Sequence, residues 1–497
     1  MIYELFLRSP NTFLGQPVSR LIMKYRRIIV WFRNDLRIHD NVTLSMACEK
    51  AEEVIPVYCF DPRHFGEIDL GMEKMGNLRA KFLKETVSEL RQNLQKLGAD
   101  LVVLQGFPEK EIPNLAVSLQ AEAIFFSEEV TDEEKQVDDA LESTAWKKGI
   151  KTRSFWQHTL FHIDDLPFPI GQTPEVFTQF RKECEKFCKV RLHASTPNAI
   201  NFPKIEIEKG QIPALSEFGL EEPEDTGRGV LMFKGGEQEG LRRLQTYFWN
   251  LDCLKDYKNT RNGLLGANYS SKFSPWLALG CLSPRQIYWE VKRYEKERVK
   301  NDSTYWLVFE LIWRDYFRFI AKKHGNKIFQ LKGIKPFADR WRRDESLFWK
   351  WANGHTGIPF VDANMRELNG TGFMSNRGRQ NVASFLVNDL GIDWRWGAAY
   401  FESKLIDYDV CSNWCNWMYV AGVGNDPREN RYFNILKQGS NYDKKGDYVR
   451  HWIPELGKVP GFDIHRPFEL NASELKRYGV SLGGNYPHPI VSMKVFT

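Results

Sequence analysis

Short apolar runs alternate with helix-length segments over the first third of the chain. The runs are RIIVWF, EVIPVYCF, DLVVLQ and AIFFSE, and the segments that separate or follow them cover 73–97, 109–120 and 132–148. Strand–helix alternation at this spacing predicts an α/β domain with a doubly wound, Rossmann-like parallel sheet over 25–160. No G-x-G-x-x-G fingerprint follows the first run, so this pattern by itself names no ligand.

The pattern changes twice further along the chain. Between 161 and 234 the periodicity fades and seven prolines interrupt short charged runs, which predicts a surface connector with one helix near 175–189. Beyond 235 helical spacing dominates, and 13 of the 16 Trp lie from Trp249 onward. We therefore expect an all-α domain over 235–497, in which 441–497 form a docked extension.

The clearest helix of this second domain runs from Asp302 to Gly325. Apolar residues recur there every three or four positions, Asp302 or Ser303 is the expected cap, and Gly325 can end the helix. Glu310 and Arg314 lie one turn apart on the same face. Spacing alone predicts that they form an ion pair on the helix surface.

Composition narrows the class of protein. The chain has 497 residues, 42% hydrophobic and 27% charged, with a net charge of +5 and a pI near 8.6. This length favours two domains, and no apolar run approaches the roughly 20 residues that span a membrane. We expect a soluble, intracellular monomer whose mild positive charge permits nucleic acid as a partner. The compartment stays open between an organelle and the nucleus or cytoplasm.

The cysteines and the first residues add two further predictions. The eight Cys lack zinc-site spacing and a neighbouring His cluster, so we expect reduced thiols and no metal. Residues 1–24 carry three basic residues and one acid, a composition shared with organelle transit peptides. We predict instead a disordered extension ahead of a start at Met23.

The stretch 375–419 has three features that an ordinary pair of core helices does not need. Arg377 and Arg379 open an apolar run, Asp407 and Asp409 are embedded among apolar residues, and four Trp crowd into 394–417. Each has a plainer explanation, as a solvated Arg, a helix cap or surface ion pair, or a core Trp. Together they predict a partly buried polar cavity, lined by aromatic side chains, for a large flat ligand.

The motifs NRGRQNVASFL, LIDYDVCSNW and GNDPREN resemble those of the photolyase/cryptochrome family, and within it the cryptochrome DASH branch. The resemblance runs from about Tyr25 to about Glu455. It implies an antenna-type α/β domain followed by an all-α FAD-binding domain. The antenna is commonly a folate (5,10-methenyltetrahydrofolate), and Glu129 is the nearest match to its acidic contact. The residues leave antenna binding open, because acids at a helix start also interact with the helix dipole.

The resemblance implies an FAD site in the second domain. Arg379 and Asp407 should form an ion pair beside the isoalloxazine ring, which would satisfy two buried charges. Asn413 should face flavin N5, and Asn at this position favours a fully reduced flavin. SSKFS should hold the pyrophosphate, although its residues alone predict only a turn followed by a helix. The implied cofactor contacts are Tyr257, Ser270, Ser271, Lys272, Phe273, Ser274, Asn376, Arg379, Asp407, Asp409 and Asn413.

The same resemblance implies a route for electrons and a site for substrate. Trp417, Trp394 and Trp341 match the tryptophan relay that carries electrons from the surface to the photoexcited flavin. Substrate-pocket residues are implied at Glu310, Trp313, Asn376, Gln380 and Tyr419, and DNA contacts at Arg261, Asn376, Arg377 and Gln438. Tyr419 and Gln380 replace a Trp and a Met of the enzymes that act on duplex DNA, as is usual in cryptochrome DASH.

We therefore predict light-driven repair of cyclobutane pyrimidine dimers, preferentially in single-stranded or looped UV-damaged DNA. Excited FADH⁻ would donate one electron to the dimer, the ring would split, and the electron would return. Two alternatives remain: a blue-light photoreceptor or transcriptional regulator that binds FAD and DNA without turnover, and a flavin or nucleotide oxidoreductase. The sequence leaves a preference for DNA over RNA undecided.

Overall fold

The computed structural model describes residues 25–336, 341–428 and 432–492. The prediction for residues 1–24 lies outside these ranges. Within them, no helix is both long enough and apolar enough to cross a membrane.

The first domain is built on a five-stranded parallel sheet whose strands, from one edge to the other, begin at Val102, Ala51, Tyr25, Ala123 and Lys151. Ile29 in the central strand lies opposite Ile55 on one side and Ile124 on the other. The strands are β1 (Tyr25–Phe32), β2 (Ala51–Phe60), the short antiparallel pair β3 (Glu67–Ile68) and β4 (Met72–Glu73), β5 (Val102–Gln105), β6 (Ala123–Ser127) and β7 (Lys151–Phe155). The predicted doubly wound parallel sheet is confirmed.

One strand of this sheet was not predicted from the sequence. The edge strand β7 has the sequence KTRSF and is mostly exposed or partly exposed. Among the described residues β7 pairs with one strand, β6, and so lies at the edge of the sheet. Its side chains are therefore partly exposed to solvent, and its sequence has no apolar run.

Both faces of the sheet are covered, because successive side chains of a strand point to opposite faces. Ile29 packs in a cluster with Ile112 and Leu141 of the helices on one face. Ile28 and Val30 point to the other face and join a larger core that continues into the second domain. The helices of the first domain are α1 (Val42–Lys50), α2 (Asn77–Lys96), α3 (Pro108–Ser118) and α4 (Asp132–Lys147).

The chain between the two domains follows the surface and contacts both of them. Its backbone accepts hydrogen bonds from sheet residues, at Asn201 from Val54 (2.9 Å) and at Lys209 from Val103 (2.8 Å). It contains helix α5 (Phe177–Phe187), which packs on the second domain. The limits of this connector stay a prediction.

The second domain is helical. Among the described residues its helices are α6 (Glu237–Gln245), α7 (Tyr257–Thr260), α8 (Ser274–Ala278), α9 (Pro284–Glu297), α10 (Asp302–His324), α11 (Glu345–Ala352), α12 (Pro359–Thr371), α13 (Asn376–Ser384), α14 (Trp394–Lys404), α15 (Val410–Ala421), α16 (Ile435–Tyr442), α17 (Asp447–Trp452) and α18 (Ala472–Tyr478). Helices α6 and α13 continue into π-helical turns at Thr246–Asn250 and Phe385–Asp389. The predicted all-α architecture is confirmed.

Helix α10 is the central element of this domain and ends at Gly325, which has a φ of +54°. The predicted cap was wrong by one residue. The Asn301 side chain accepts from the backbone N–H groups of Ser303 and Thr304 and therefore caps the helix.

Buried ion pairs join the two domains where β1 and β6 end, which is the usual ligand crevice of a doubly wound sheet. Glu129 occupies this position with a side chain only 2% exposed. Its carboxylate accepts from Asn34 Nδ2 at 3.0 Å and Arg318 Nη1 at 2.8 Å, and lies 3.4 Å from His158. Burial alone would raise the pKa of Glu129, but His158 and Arg318 lower it to about 2. The carboxylate is thus engaged by protein groups, and its antenna contact stays a prediction.

Candidate functional site

A cavity of about 520 Å³ opens within the helical domain, between α7, α8, α10, α13 and α15. Residues predicted from widely separated parts of the chain converge on it. Those that line it are Tyr257, Arg261, Ser270, Ser271, Lys272, Phe273, Ser274, Glu310, Trp313, Asn376, Arg377, Arg379, Gln380, Asp407, Asp409, Asn413, Trp417 and Tyr419. Glu129, Trp341, Trp394 and Gln438 do not line it.

The expected ion pair between Arg379 and Asp407 is present. Ser375 caps α13 through the N–H of Gly378, which places Arg379 in the first turn facing the cavity. Arg379 Nη2 donates to Asp407 Oδ2 at 2.8 Å, and its Nε donates to the Met374 carbonyl. Among the described residues none donates to the other oxygen, Asp407 Oδ1, which is buried. A buried acceptor in this position calls for a ligand donor.

Asp409 and Asn413 lie on adjoining turns at the start of α15. Asp409 caps the helix through the N–H of Ser412, and it lies 3.3 Å from Arg318 and 3.7 Å from Arg314. Burial alone would raise the pKa of Asp409, but these two guanidinium groups hold it below its ordinary value. Asn413 donates to the Ala398 carbonyl at 3.0 Å, which fixes its amide at the cavity wall.

The predicted surface pair between Glu310 and Arg314 was wrong. Glu310 instead accepts from Arg261 at 2.6 Å, while Arg314 donates to the carbonyl of His158 and approaches Asp409. Packing against other elements therefore separated two residues that helix spacing placed together. Burial raises the pKa of Glu310 despite the nearby Arg261 guanidinium.

The loop Ser270–Ser274 passes close to the cavity with a left-handed residue at its centre. Lys272 has a φ of +54°, a conformation that is costly for any residue other than glycine. Its ammonium lies 3.8 Å from the ring centroid of Tyr269 and 4.6 Å from that of Phe373. Burial lowers the pKa of Lys272 to about 7. Arg243 donates to the carbonyls of Ser270 and Ser271 and so holds the loop in place.

This loop leads into α8, which has only five residues and therefore a weak helix dipole. The loop would bind an anion through its Ser hydroxyls and the charge of Lys272. Six cationic side chains line the cavity as a whole, against three carboxylates. That excess of positive charge suits a negatively charged ligand.

Aromatic side chains form another part of the cavity wall. Trp313 and Tyr419 meet edge to face, with ring centroids 5.8 Å apart and an interplanar angle of 87°. Glu310 and Arg261 lie beside them on α10 and just after α7. A flat, partly polar ligand group matches a pocket with these walls.

Polar side chains of α13 continue the cavity rim toward solvent. Asn376 is exposed at the first position of α13. Arg377 donates to Gln380 at 2.9 Å and to Asn262 at 3.0 Å, and lies 4.6 Å from the Tyr442 ring centroid. Gln438 belongs to the neighbouring helix α16 and is partly buried outside the cavity.

The three predicted relay tryptophans lie at different depths. Trp417 is in the cavity wall, 5.1 Å edge-on from Phe401, and Trp394 is fully buried edge-on to Trp414 at 5.8 Å. Trp341 is partly buried. The next residue, Arg342, pairs its backbone with Gly391 and Asp393, directly before Trp394. Their function as a relay stays a prediction.

Several cavity residues were not identified from the sequence. Arg314 and Arg428 add positive charge, and Phe401 and Tyr408 add aromatic wall. Three of them had a sequence signal: Arg314 lies on the same helical face as Glu310, and Tyr408 and Arg428 belong to the motifs LIDYDVCSNW and GNDPREN. Phe401 reaches the cavity through packing that no local pattern reports.

Comparison with known proteins identifies the family of the chain and the cofactor of its helical domain. A family model described as "FAD binding domain of DNA photolyase" matches residues 306–496, and one described as "DNA photolyase" matches 28–199. The chain is 53% identical to a Cryptochrome DASH of Gloeobacter violaceus over 95% of this chain and 94% of that protein. The chain belongs to the photolyase/cryptochrome family, in its cryptochrome DASH branch.

Solved structures of this family have the same architecture. The crystal structure of a Synechocystis cryptochrome is 53% identical, with a TM-score of 0.91 over 94% of this chain and 96% of that one. A class III photolyase of Agrobacterium tumefaciens is 32% identical, with a TM-score of 0.82 over 96% of each chain.

The family binds FAD, and the residues of the cavity fit this cofactor. The flavin ring carries hydrogen-bond donors and acceptors, and Asp407 Oδ1 is a buried acceptor in need of a donor. The FAD diphosphate carries negative charge, and the cavity has an excess of cationic side chains. The contact that each residue makes with the cofactor stays a prediction.

Proposed function

We propose that this protein uses blue light to repair cyclobutane pyrimidine dimers in single-stranded or looped DNA, acting as a monomer. The observation that carries the proposal is the open aromatic pocket formed by Trp313 and Tyr419 beside the flavin cavity. A flipped dimer presents two pyrimidine-derived rings that are partly apolar, and the two perpendicular side-chain rings offer them one face and one edge. Cryptochrome DASH membership supports DNA as the partner and FAD as the cofactor.

When bound and reduced, FAD would supply the reversible one-electron transfer that splits the dimer under blue light. The protein's residues hold the reactants in place. Arg379 and Asp407 would orient the flavin, while Asn413 would present its amide to the flavin N5 edge. Lys272 and the Ser hydroxyls of the 270–274 loop would bind the diphosphate.

Glu310 would contact the substrate from the cavity wall. Its carboxyl group can form a hydrogen bond with the polar edge of a dimer base, and burial raises its pKa. Arg261 binds one oxygen of Glu310 and so orients the carboxyl group. Asn376, Arg377 and Gln438 would contact the DNA strand, where cationic and amide groups bind phosphates and bases.

The preference for single strands follows from the cost of extracting a base pair from duplex DNA. Unstacking and unpairing cost about a few kcal/mol, and the pocket must recover that cost through its contacts. Tyr419 has a smaller ring than Trp, so it recovers less of the cost. A single-stranded dimer needs no extraction, and the same pocket is then sufficient.

The test compares repair of one thymine dimer in single-stranded and duplex oligonucleotides under blue light, with reduced protein. We expect repair of the single strand and little repair of the duplex. The double variant Tyr419→Trp, Gln380→Met should gain duplex repair. Trp313→Ala should lose repair of the single strand and whatever repair of the duplex the wild type shows. Equal wild-type rates on both substrates would contradict the strand preference. No repair of either, with flavin bound and photoreducible, would replace this proposal with the photoreceptor function.

A further inference from the structure

The indole of Trp313 has a partner that does not belong to the helical domain. Phe177, the first residue of α5 in the connector, stacks on Trp313 with ring centroids 3.6 Å apart and an interplanar angle of 10°. Phe177 is buried, and it also meets Phe309 and Tyr316 edge to face. It does not line the cavity. Phe177 therefore covers one face of the indole from behind, while Trp313 lines the cavity.

The connector next to Phe177 is anchored to both walls of the pocket. The Glu175 carboxylate pairs with Lys323 at 2.6 Å and His324 at 3.1 Å, both at the end of the helix that carries Trp313. It also accepts from Asn425 Nδ2 at 2.6 Å. The Glu175 carbonyl accepts from the Tyr316 hydroxyl.

Asn425 connects this anchor to the second wall. The turn that precedes it folds back on the last turn of α15, because Val423 and Gly424 both donate to the Met418 carbonyl. A Cβ on Gly424 would lie 3.0 Å from the backbone nitrogen of Tyr419, so glycine allows this close approach without displacing a neighbour. Glu175 is thus linked to α10 through Lys323 and to the Tyr419 turn through Asn425.

We propose that Glu175 and Phe177 form a connector clamp that sets the spacing and orientation of Trp313 and Tyr419, and thereby the selectivity of the pocket for a dimer. The clamp residues are positioning residues, since they act through Trp313 and Tyr419. This inference rests on the proposed function, because it assigns the dimer to the part of the cavity that those two rings line. It also gives the connector a part in substrate recognition.

The main test is Phe177→Leu, which keeps an apolar side chain and removes the stacked ring. We expect about threefold to tenfold weaker affinity for a dimer-containing single strand, because binding must then order an indole that no stacked ring holds in place. Affinity for the undamaged strand and the rate of flavin photoreduction should not change. Phe177→Tyr keeps the ring and should restore discrimination. Phe168→Leu is the matched control, because Phe168 lies in the same connector and pairs with Phe180 rather than Trp313.

A second measurement reports on the clamp without any DNA. In protein labelled with 5-fluorotryptophan, the ¹⁹F resonance lost in Trp313→Phe belongs to Trp313. Phe177→Leu should shift and broaden this resonance, and Glu175→Ala should do so to a smaller extent, while Phe168→Leu should leave it unchanged.

The two measurements separate failure of the clamp from failure of the proposed function. An unchanged Trp313 resonance in Phe177→Leu, or an equal loss of dimer affinity in Phe168→Leu, would overturn the clamp. If the wild-type protein does not bind the dimer more tightly than the undamaged strand, the proposed function fails, and the proposal that the clamp confers dimer selectivity fails with it.

Discussion

Asp407 offers the sharpest test of how the cavity holds its cofactor. Its side chain is 1% exposed, one oxygen is bound by Arg379 at 2.8 Å, and no described residue donates to the other. Asp407→Asn keeps the shape of the side chain and removes its charge. The amide can direct only its single oxygen either to Arg379 or to the cavity, so one of the two acceptor positions becomes a donor.

The expected magnitude follows from that loss. A hydrogen bond to a charged group contributes about 1.5–3 kcal/mol, so about 2 kcal/mol corresponds to roughly 30-fold weaker FAD binding. If the amide turns instead to satisfy the cofactor, Arg379 faces an N–H group and must move, with a similar cost. Titration of the apoprotein with FAD, followed by flavin fluorescence, measures the dissociation constant directly.

The matched control is Asp362→Asn, at a fully buried carboxylate that does not line the cavity. Asp362 accepts from Thr356 and from the Tyr486 hydroxyl, so its replacement should lower the unfolding temperature. FAD affinity of the folded control should equal that of the wild type. A dissociation constant for Asp407→Asn within threefold of wild type would refute the reasoning, as would an equal loss in the control.

Two further predictions concern the diphosphate loop and the relay. Burial lowers the pKa of Lys272 to about 7, and a bound anion favours the charged form of its side chain. FAD affinity should therefore be constant below pH 7 and fall at higher pH, by at most about tenfold per pH unit. Lys272→Met should abolish this pH dependence, and an unchanged pH dependence in the variant would contradict the assignment of Lys272 to the diphosphate. A Cβ on Gly397 would lie 2.2 Å from Trp417, so Gly397→Ala should lower the free energy of unfolding by about 1–3 kcal/mol and slow flavin photoreduction. Gly171→Ala, where nothing lies within 4 Å, should leave both unchanged, and normal photoreduction in Gly397→Ala would argue against the relay assignment.

Local periodicity was sufficient to predict the elements that bury one continuous face. The strands that contain Ile29, Ile55 and Ile124 are buried by their neighbours, so their apolar runs are visible in the sequence. Helix α10 was predicted in the same way. The edge strand β7 was missed because its exposure permits polar residues such as Lys151.

The motifs also predicted which residues would converge on one cavity, although their separate roles remain predictions. The pairing of Arg379 with Asp407 was implied by the family resemblance, and the structure contains it; the pair satisfies two charges that would otherwise lack a partner. Helix spacing failed for Glu310, since Arg261 on another element lies closer to its carboxylate than Arg314 does. A rule based on spacing within one helix cannot account for a charged residue that folding brings close from a distant part of the chain.

The sequence by itself determined the fold class, the family and most of the polar residues around the cavity, because each depends on residue type and short-range spacing. Tertiary structure alone decided that Glu129 is held by Arg318, that Phe177 stacks on Trp313, and that Glu175 reaches Asn425. These partners are far apart in the chain, and one connector pattern is compatible with many docking positions. In the observed packing of the connector on the helical domain, the aromatic rings are in contact and the buried charges are paired at the same time.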